Sequence, residues 1–595
     1  MVAFLRWAQS IIVGTLNGLL KFALAIVLLI VVLAGIGMVE GDGLPSKMVL
    51  NLDLRSPVAD SNAPDPLDAS TRPPSVMDIV LALDAAGRDA RVKGAFLRLG
   101  TADLSVPQAE EIGAAIQRFR QTGKFVLAHS QGFLSNGLGD YLTAASASEI
   151  WMQPKSPFGT AGAGAGALFL RGLFDKFDAV PQMVKRSDFK SAADMYMEKD
   201  YTGPDRLQTT ALLQSWYDNA TTAAAADRRL APKAVVADFE ASPQFADDAR
   251  REGLIDRMGY DDEAESAARD RAGSGASMVS LKKYWHAVKD VAALTGGTHV
   301  ALIEAAGEIV DGTTGGGSLF GNNENIIAGD DLSAAIRAAT KDKSIKAIIL
   351  RVDSPGGSVT ASDQILDAVK KAQAAGKPVV VSMGAVAASG GYYISASANK
   401  IIAEPGTLTG SIGVLTGKVS LGKTIGLVGA NADEIGVGKN ALFDSGISPF
   451  TPDQLANLNT QADVTYADFT QKVADGRKLP LARVQDIAKG RVWTGADAQP
   501  RGLVDQLGGF WTAVAATKQV AGIPADTNVQ FVRFPKAKSL TQAFEDAFGG
   551  TTASMRAIQG LATLAQTPGI RSVVEAVSEA PHGTVEMRAT NLPAQ

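Results

Sequence analysis

KAIILRVDSPGGSV, Lys346 to Val359, is the stretch whose reading decides the fold. An unbroken apolar run rich in branched side chains stops at a Pro-Gly-Gly turn, the pattern of a strand buried on both faces. Downstream, ASDQILDAVKKAQAAG (Ala361 to Gly376) places Ile365, Leu366, Val369 and Ala372 at helical spacing, and PVVVSM (Pro378 to Met383) reads as the next strand. Upstream, HVALIEAAGEI (His299 to Ile309) and LSAAIRAATKD (Leu332 to Asp342) read as a strand and an amphipathic helix. Strands alternating with helices predict an α/β fold built on a mainly parallel sheet.

The same stretch occurs twice. KGAFLRLG from Lys93 matches KAIILRVD from Lys346, and Gly123-Lys124 before FVLAHS matches Gly376-Lys377 before PVVVSM, both at a separation of 253 positions. Pro154 and Gly159 match Pro405 and Gly410 at 251, and GLIDRMG from Gly253 matches GLVDQLG from Gly502 at 249. The slow drift is that of small insertions and deletions between two copies of one unit. This predicts domains at 44–290 and 291–535, preceded by a segment 1–43 and followed by a tail 536–595 that could form amphipathic helices. DNATTAAAADRRL and TQKVADGRKL, in copy one and copy two, read as helices with solvated faces.

The 595 residues are 46% hydrophobic and 20% charged with a formal net charge of −5, which excludes wholesale disorder. Dispersed lysines and arginines give no footprint for nucleic acid. Cysteine is absent, which removes thiol nucleophiles, thiolate zinc sites and iron–sulfur clusters together. No HExxH and no GxxxxGK[ST] motif is present, so neither metal nor cofactor is expected. His129, His286, His299 and His582 are scattered and read as structural. Near the N-terminus, FALAIVLLIVVLAGIGMV (Phe22 to Val39) is uncharged and long enough to cross a bilayer as a helix. Arg6 and Lys21 precede it and Glu40 and Asp42 follow, which predicts an uncleaved anchor with a cytoplasmic N-terminus and the bulk of the chain outside the cytoplasm.

Two glycine clusters of the second copy stand at strand ends, where open α/β sheets build their sites. Gly356 and Gly357 in RVDSPGGSV offer amides to a developing oxyanion. In GAVAASGGYYISASAN, Gly384 to Asn399, Ser389 precedes Gly390-Gly391 and a helical run, the placement of a serine nucleophile with the Gly390 N–H as a further donor. The first copy has LRLGTADLSVPQ and FLSNGLGDYLTAASASE at these places and lacks both glycine pairs, so the second copy is the expected holder of the nucleophile. Lysine is the remaining general base, since a desolvated ammonium deprotonates more easily, and composition alone does not choose one.

SPGGSV, ASGGYY with Ser395 to Ala398, GTLTGSIGV from Gly406 to Val414 and the late GLVD together resemble the long, tandem-repeat form of the signal peptide peptidase A family, also called protease IV. The resemblance covers residues 1 to 535 and implies two tandem ClpP/crotonase-like βα superhelical domains behind a transmembrane helix, assembled as a homotetramer on the periplasmic side of the inner membrane. It implies a serine endopeptidase acting on cleaved signal peptides and similar apolar peptides through an acyl-enzyme. Ser389 is then the nucleophile, Gly357 and Gly390 form the oxyanion hole with Gly356 a third candidate, and Lys190 in SDFKSAADMY is the base. Lys439 in VGKNALFD is the alternative, because it lies 249 positions after Lys190 and short relatives draw their lysine from that place. Two rival readings remain: an inactive membrane-tethered peptide-binding scaffold, and a crotonase-like acyl-CoA enzyme using a carboxylate such as Glu404.

Overall fold

The computed structural model describes residues 42–61, 73–100, 104–133, 137–292, 297–314, 326–427 and 429–535. The expected anchor Phe22–Val39 and the tail 536–595 lie outside the described residues; among the described residues no helix is long and apolar enough to cross a membrane. The two repeats belong to one compact unit, Pro45–Ala63 with Pro73–Lys536.

Each repeat builds a parallel sheet. In the first, the order is Arg257–Met258, Glu149–Met152, Phe125–Ser130, Val92–Leu99, Met48–Asp53, Ser277–Ser280. In the second, the path Val379–Ala388, Ile345–Ser354, Thr298–Ala306, Val529–Phe534 repeats it, with Lys400–Ala403 and Gln506–Leu507 completing the match beside Val379–Ala388. Parallel neighbours require crossover connections, and helices supply them. Val359–Ala374 is one such helix, started by the Ser358 hydroxyl accepting from the Ala361 N–H at 3.2 Å. Its expected stripe, Ile365, Leu366, Val369 and Ala372, is fully buried in one cluster with Ile348, Leu350, Val379 and Val381.

The second sheet carries two further strands. Leu408–Gly410 pairs in parallel with Val386–Ala388, and Val492–Thr494 closes the edge antiparallel to it. This pairing draws the strand read from the sequence as Pro378–Met383 on to Ala388, so it ends directly at Ser389. In the first repeat the corresponding pair shrinks to Pro157–Phe158 and Gln244–Phe245.

The solvated-face reading of the alanine-rich and charged helices is corrected. Gly203–Arg228 buries Ala220, Thr221, Ala224 and Ala225, and Pro452–Arg477 buries Thr470, Val473 and Ala474. Small side chains let these helices lie close to their neighbours, and the first reaches the other repeat: Trp216 Nε1 donates to the Gly406 carbonyl at 2.7 Å. The repeats are also joined by an antiparallel ribbon in which Val180–Arg186 pairs with Val414–Ser420. A third connection is buried and ionic. Arg351 of the second repeat, 2% exposed, donates to Glu111 at 2.8 Å and to both carboxylate oxygens of Asp60, at 2.5 and 3.0 Å, all from the first.

Candidate active site

Ser389 sits where Val379–Ala388 ends and the short helix Gly390–Ser395 begins. The Leu408–Gly410 strand fixes that corner, since the Gly410 carbonyl accepts the Ser389 N–H at 2.9 Å. Within the turn Ser389 adopts φ +53°, ψ −116°, a conformation that costs a non-glycine residue about 1–3 kcal/mol and that packed surroundings must hold. The sharp turn places Ser389 between a strand end and a helix start, the backbone arrangement of strand-to-helix nucleophile elbows.

Lys190 arrives from the other repeat. The Val180–Arg186 strand of the ribbon ends four residues before it, and the partner strand Val414–Ser420 begins three residues after Ser411. Lys190 Nζ lies 2.9 Å from Ser389 Oγ, 2.9 Å from Ser411 Oγ and 3.2 Å from the Ser411 carbonyl. The 488–491 strip holds the lysine's main chain: the Lys489 carbonyl accepts the Phe189 N–H at 3.1 Å, and the Arg491 carbonyl accepts the Ser411 N–H at 2.8 Å. Gly490, at φ +74°, lets the two segments touch; a Cβ there would stand 2.6 Å from Lys190 Cβ and 2.7 Å from its nitrogen. Lys190 is 7% exposed, and burial pulls its ammonium down from 10.5 to about 8. The amine therefore releases its proton far more readily than a solvated lysine.

Two amides flank the serine. Gly390 opens its helix, so its N–H has no acceptor within that helix. Gly357 lies across from it: its nitrogen is 3.2 Å from where a Cβ on Gly390 would stand. Among the described residues no hydrogen bond engages either N–H. Gly357 has φ +148°, and any side chain would collide with the Ile309 carbonyl at 2.1 Å. Gly356 is placed differently, its N–H turned to Ser354 Oγ at 3.2 Å.

The remaining candidates lie elsewhere. Lys439 is exposed and paired with Asp453 at 2.9 Å, which holds its pKa above the ordinary value. Glu404 is buried; a Cβ on Gly509 would stand 2.4 Å from its Oε1 and 2.3 Å from that of Glu111. Burial and the neighbouring Glu111 and Glu110 carboxylates push Glu404 well above the usual carboxylate range. His129 Nε2 meets the Gly259 carbonyl at 3.1 Å and His299 Nε2 meets Gln530 at 3.0 Å, structural roles as expected. His582 falls outside the described residues. Among the described residues no group of acidic or histidine side chains is arranged to hold a metal ion.

Ser411 is the participant that sequence reasoning missed. It stands in GTLTGSIGV, but nothing in that run says that its hydroxyl faces a lysine from the other repeat. Equivalent tyrosines put the two repeats in register. Tyr141 and Tyr392 donate to the carbonyls of Leu254 and Leu503, each at 2.9 Å, so the place of Ser389 is held by Leu138 in the first repeat. The first copy thus lacks the hydroxyl and keeps one glycine of that pair, Gly139 in the place of Gly390, with Asp140 in the place of Gly391.

A ClpP-like α/β scaffold that carries a strained serine beside two free amides and a buried lysine defines a serine protease. The comparisons agree and narrow the class. The peptidase family S49 model matches residues 118–274 and 371–524, and the Clp protease model matches 322–407. The chain belongs to peptidase family S49. It is 33% identical over 506 residues to the chloroplastic serine protease SPPA of Arabidopsis thaliana, covering 83% of this chain and 73% of that one. It is 32% identical over 462 residues to Protease 4 of Salmonella typhi, with 75% and 72% covered. With Protease 4 of Haemophilus influenzae the figures are 31% over 471 residues, 77% and 74%.

Proposed function

We propose that this serine protease is a membrane-anchored endopeptidase that hydrolyses cleaved signal peptides and similar apolar, unfolded peptides with a Ser389/Lys190 dyad. The observation that carries the reading is the 2.9 Å contact between Lys190 Nζ and Ser389 Oγ in a site where the lysine is buried. Neutral Lys190 takes the Ser389 proton, the alkoxide attacks the scissile carbonyl, and the Gly357 and Gly390 N–H groups donate to the oxyanion. The lysine ammonium then protonates the leaving amine. In the second half-reaction Lys190 takes a proton from water, the hydroxide attacks the acyl-enzyme, and Ser389 recovers its proton as it leaves.

The domain boundaries 44–290 and 291–535, the Phe22–Val39 anchor, the inner-membrane location with the catalytic repeats in the periplasm and the homotetramer belong to the same proposal. The internal ribbon supports the assembly. It uses one segment from each repeat, and the two counterpart segments, near 163–169 and 429–437, carry the exposed apolar residues Leu168, Ile435 and Val437. A second copy offers each the partner that the ribbon gives its equivalent. The place of Glu404, packed against Glu111, gives the acyl-CoA reading no support.

The test is hydrolysis of an apolar fluorogenic peptide by detergent-purified full-length chain. Loss of activity in Ser389→Ala and Lys190→Ala with retention in Lys439→Ala is expected. Full activity in Ser389→Ala would overturn the mechanism, and loss in Lys439→Ala with retention in Lys190→Ala would move the base to the second repeat.

A further inference from the structure

Phe189, next to Lys190 in the chain, and Ala488, Lys489 and Arg491 of the strip that holds it border a cavity of about 560 Å³. Its wall includes Phe189, Arg483, Lys489, Arg491, Trp493 and Arg501. Four cations thus face one space. The carboxylates nearby do not balance them: Asp486 serves both Arg483, at 3.1 Å, and Lys489, at 3.7 Å, while Arg501 stands 3.7 Å from Asp497. Arg491 has neither. Its guanidinium lies over the Trp493 ring at 4.1 Å and over Phe189 at 5.1 Å, and Arg501 lies over the same indole at 3.8 Å. Stacking on rings holds guanidinium planes rigid while their edges face outward; Arg501 Nη1 donates to the Asp497 carbonyl, and its other edge nitrogens remain for an acceptor. The Arg491 Nε is buried and has no hydrogen-bond partner. Burial and the like charge of Arg501 lower the Arg491 pKa, the signature of a cation short of a counter-charge.

We infer that this cavity is a binding site for a phosphate group, with Arg491 and Arg501 as its forked donors and Arg483 and Lys489 at its rim. Four cations against one lining carboxylate favour an anion of more than one charge over a chloride or a single carboxylate, and guanidinium edges match phosphate oxygens two at a time. The phosphate comes free in solution or on a lipid headgroup. The site is joined to the proposed dyad by the chain itself. Phe189 precedes Lys190, and the Arg491 carbonyl holds the N–H of Ser411, whose hydroxyl holds Lys190. A phosphate in the cavity cancels positive charge close to that lysine, so it favours the ammonium and moves the acid limb of the pH–rate profile to higher pH. This effect on rate rests on Lys190 as the base; occupancy of the cavity does not.

Isothermal titration of inorganic phosphate into full-length Ser389→Ala protein in detergent, at constant ionic strength, tests occupancy. Saturable binding is expected, weakened at least tenfold in R491Q/R501Q and also weakened in R483Q, whose exposed side chain leaves the fold untouched. No heat beyond that of sodium chloride, or equal binding by wild type and both variants, would overturn the site. Flotation with vesicles of phosphatidylglycerol or of phosphatidylcholine alone separates the sources. Loss of phosphatidylglycerol-specific flotation in R483Q and in the double variant assigns a headgroup, and unchanged flotation with reduced phosphate binding assigns the free ion. If phosphate binds and the pH–rate midpoint stays fixed, the site stands and its coupling to the lysine falls.

Discussion

Replacing Lys190 by methionine should abolish hydrolysis and stabilise the fold at neutral pH, two effects that ordinarily oppose one another. A lysine held at about 8 instead of 10.5 carries a penalty of roughly 3 kcal/mol while it must be protonated. The unfolded chain binds the extra proton between these two values, so stability rises with pH from about 8 to 10.5, and the penalty is complete below 8. Methionine fills similar space without charge. It gives up the contacts to Ser389 and Ser411, each worth about 1 kcal/mol. The net gain at pH 7 is then about 1 kcal/mol, shrinking as pH rises and reversing once the wild-type amine is neutral. Paired thermal unfolding curves of wild type and Lys190→Met from pH 7 to 10.5 read this difference directly, because other titrating groups are common to both. A variant less stable at pH 7 by an amount that does not change with pH would refute the claim that Lys190 is held against its charged form.

The same burial predicts a rate that climbs with pH and levels off above about 8, whereas a lysine at its ordinary value would keep it climbing towards 10.5; a pH–rate profile decides. Gly490→Ala should drop kcat by at least 10²-fold with little change in KM, because the added methyl displaces the Lys190 backbone. Ser411→Ala should lower kcat by about 10-fold with KM retained, since one of the three groups holding the Lys190 amine is lost, and steady-state kinetics read both. Arg351→Met should destabilise the protein by about 3–5 kcal/mol in denaturant unfolding, leaving Asp60 and Glu111 buried without their cation. Glu404→Gln should cost less than about 1 kcal/mol in the same assay, since burial and the Glu111 and Glu110 carboxylates disfavour the charged form that the substitution removes.

What was legible in the sequence follows from how local each signal is. The Ile345–Ser354 strand and the Val359–Ala374 helix were visible because period and turn residues are properties of neighbouring positions. Ser389 was visible because a serine before two glycines at a strand end can be read within a dozen residues. The extension of the strand to Ala388 was not, since it depends on Leu408–Gly410 pairing from twenty residues away. The alanine-rich helix around Ala224 misled for the opposite reason. Its low hydrophobicity suggested solvent, yet small side chains are what allow close packing. Ser411, Gly490 and the Arg351 cluster were out of reach because each acts across the two repeats, and no spacing within one copy encodes a contact with the other.

The asymmetry between the copies accounts for a single site. Both repeats retain what a sheet needs, down to the tyrosines that tie Tyr141 to Leu254 and Tyr392 to Leu503. They differ where chemistry would sit: Leu138 stands for Ser389, and the exposed, paired Lys439 stands for the buried Lys190. In the proposed dyad each repeat supplies one half of the pair, and the ribbon Val180–Arg186 with Val414–Ser420 brings the halves together. A serine strained at φ +53° and a lysine carrying a burial penalty are both destabilising, and placing them in different repeats leaves neither domain to bear both. It follows that the site forms only when the repeats dock. Weakening the Arg351 lock with Glu111→Gln, far milder than removing the arginine, should therefore lower kcat in proportion to the undocked fraction while the pH midpoint of the docked fraction stays unchanged. A shifted midpoint at full amplitude would instead mean that the lock acts on the lysine's charge and not on docking.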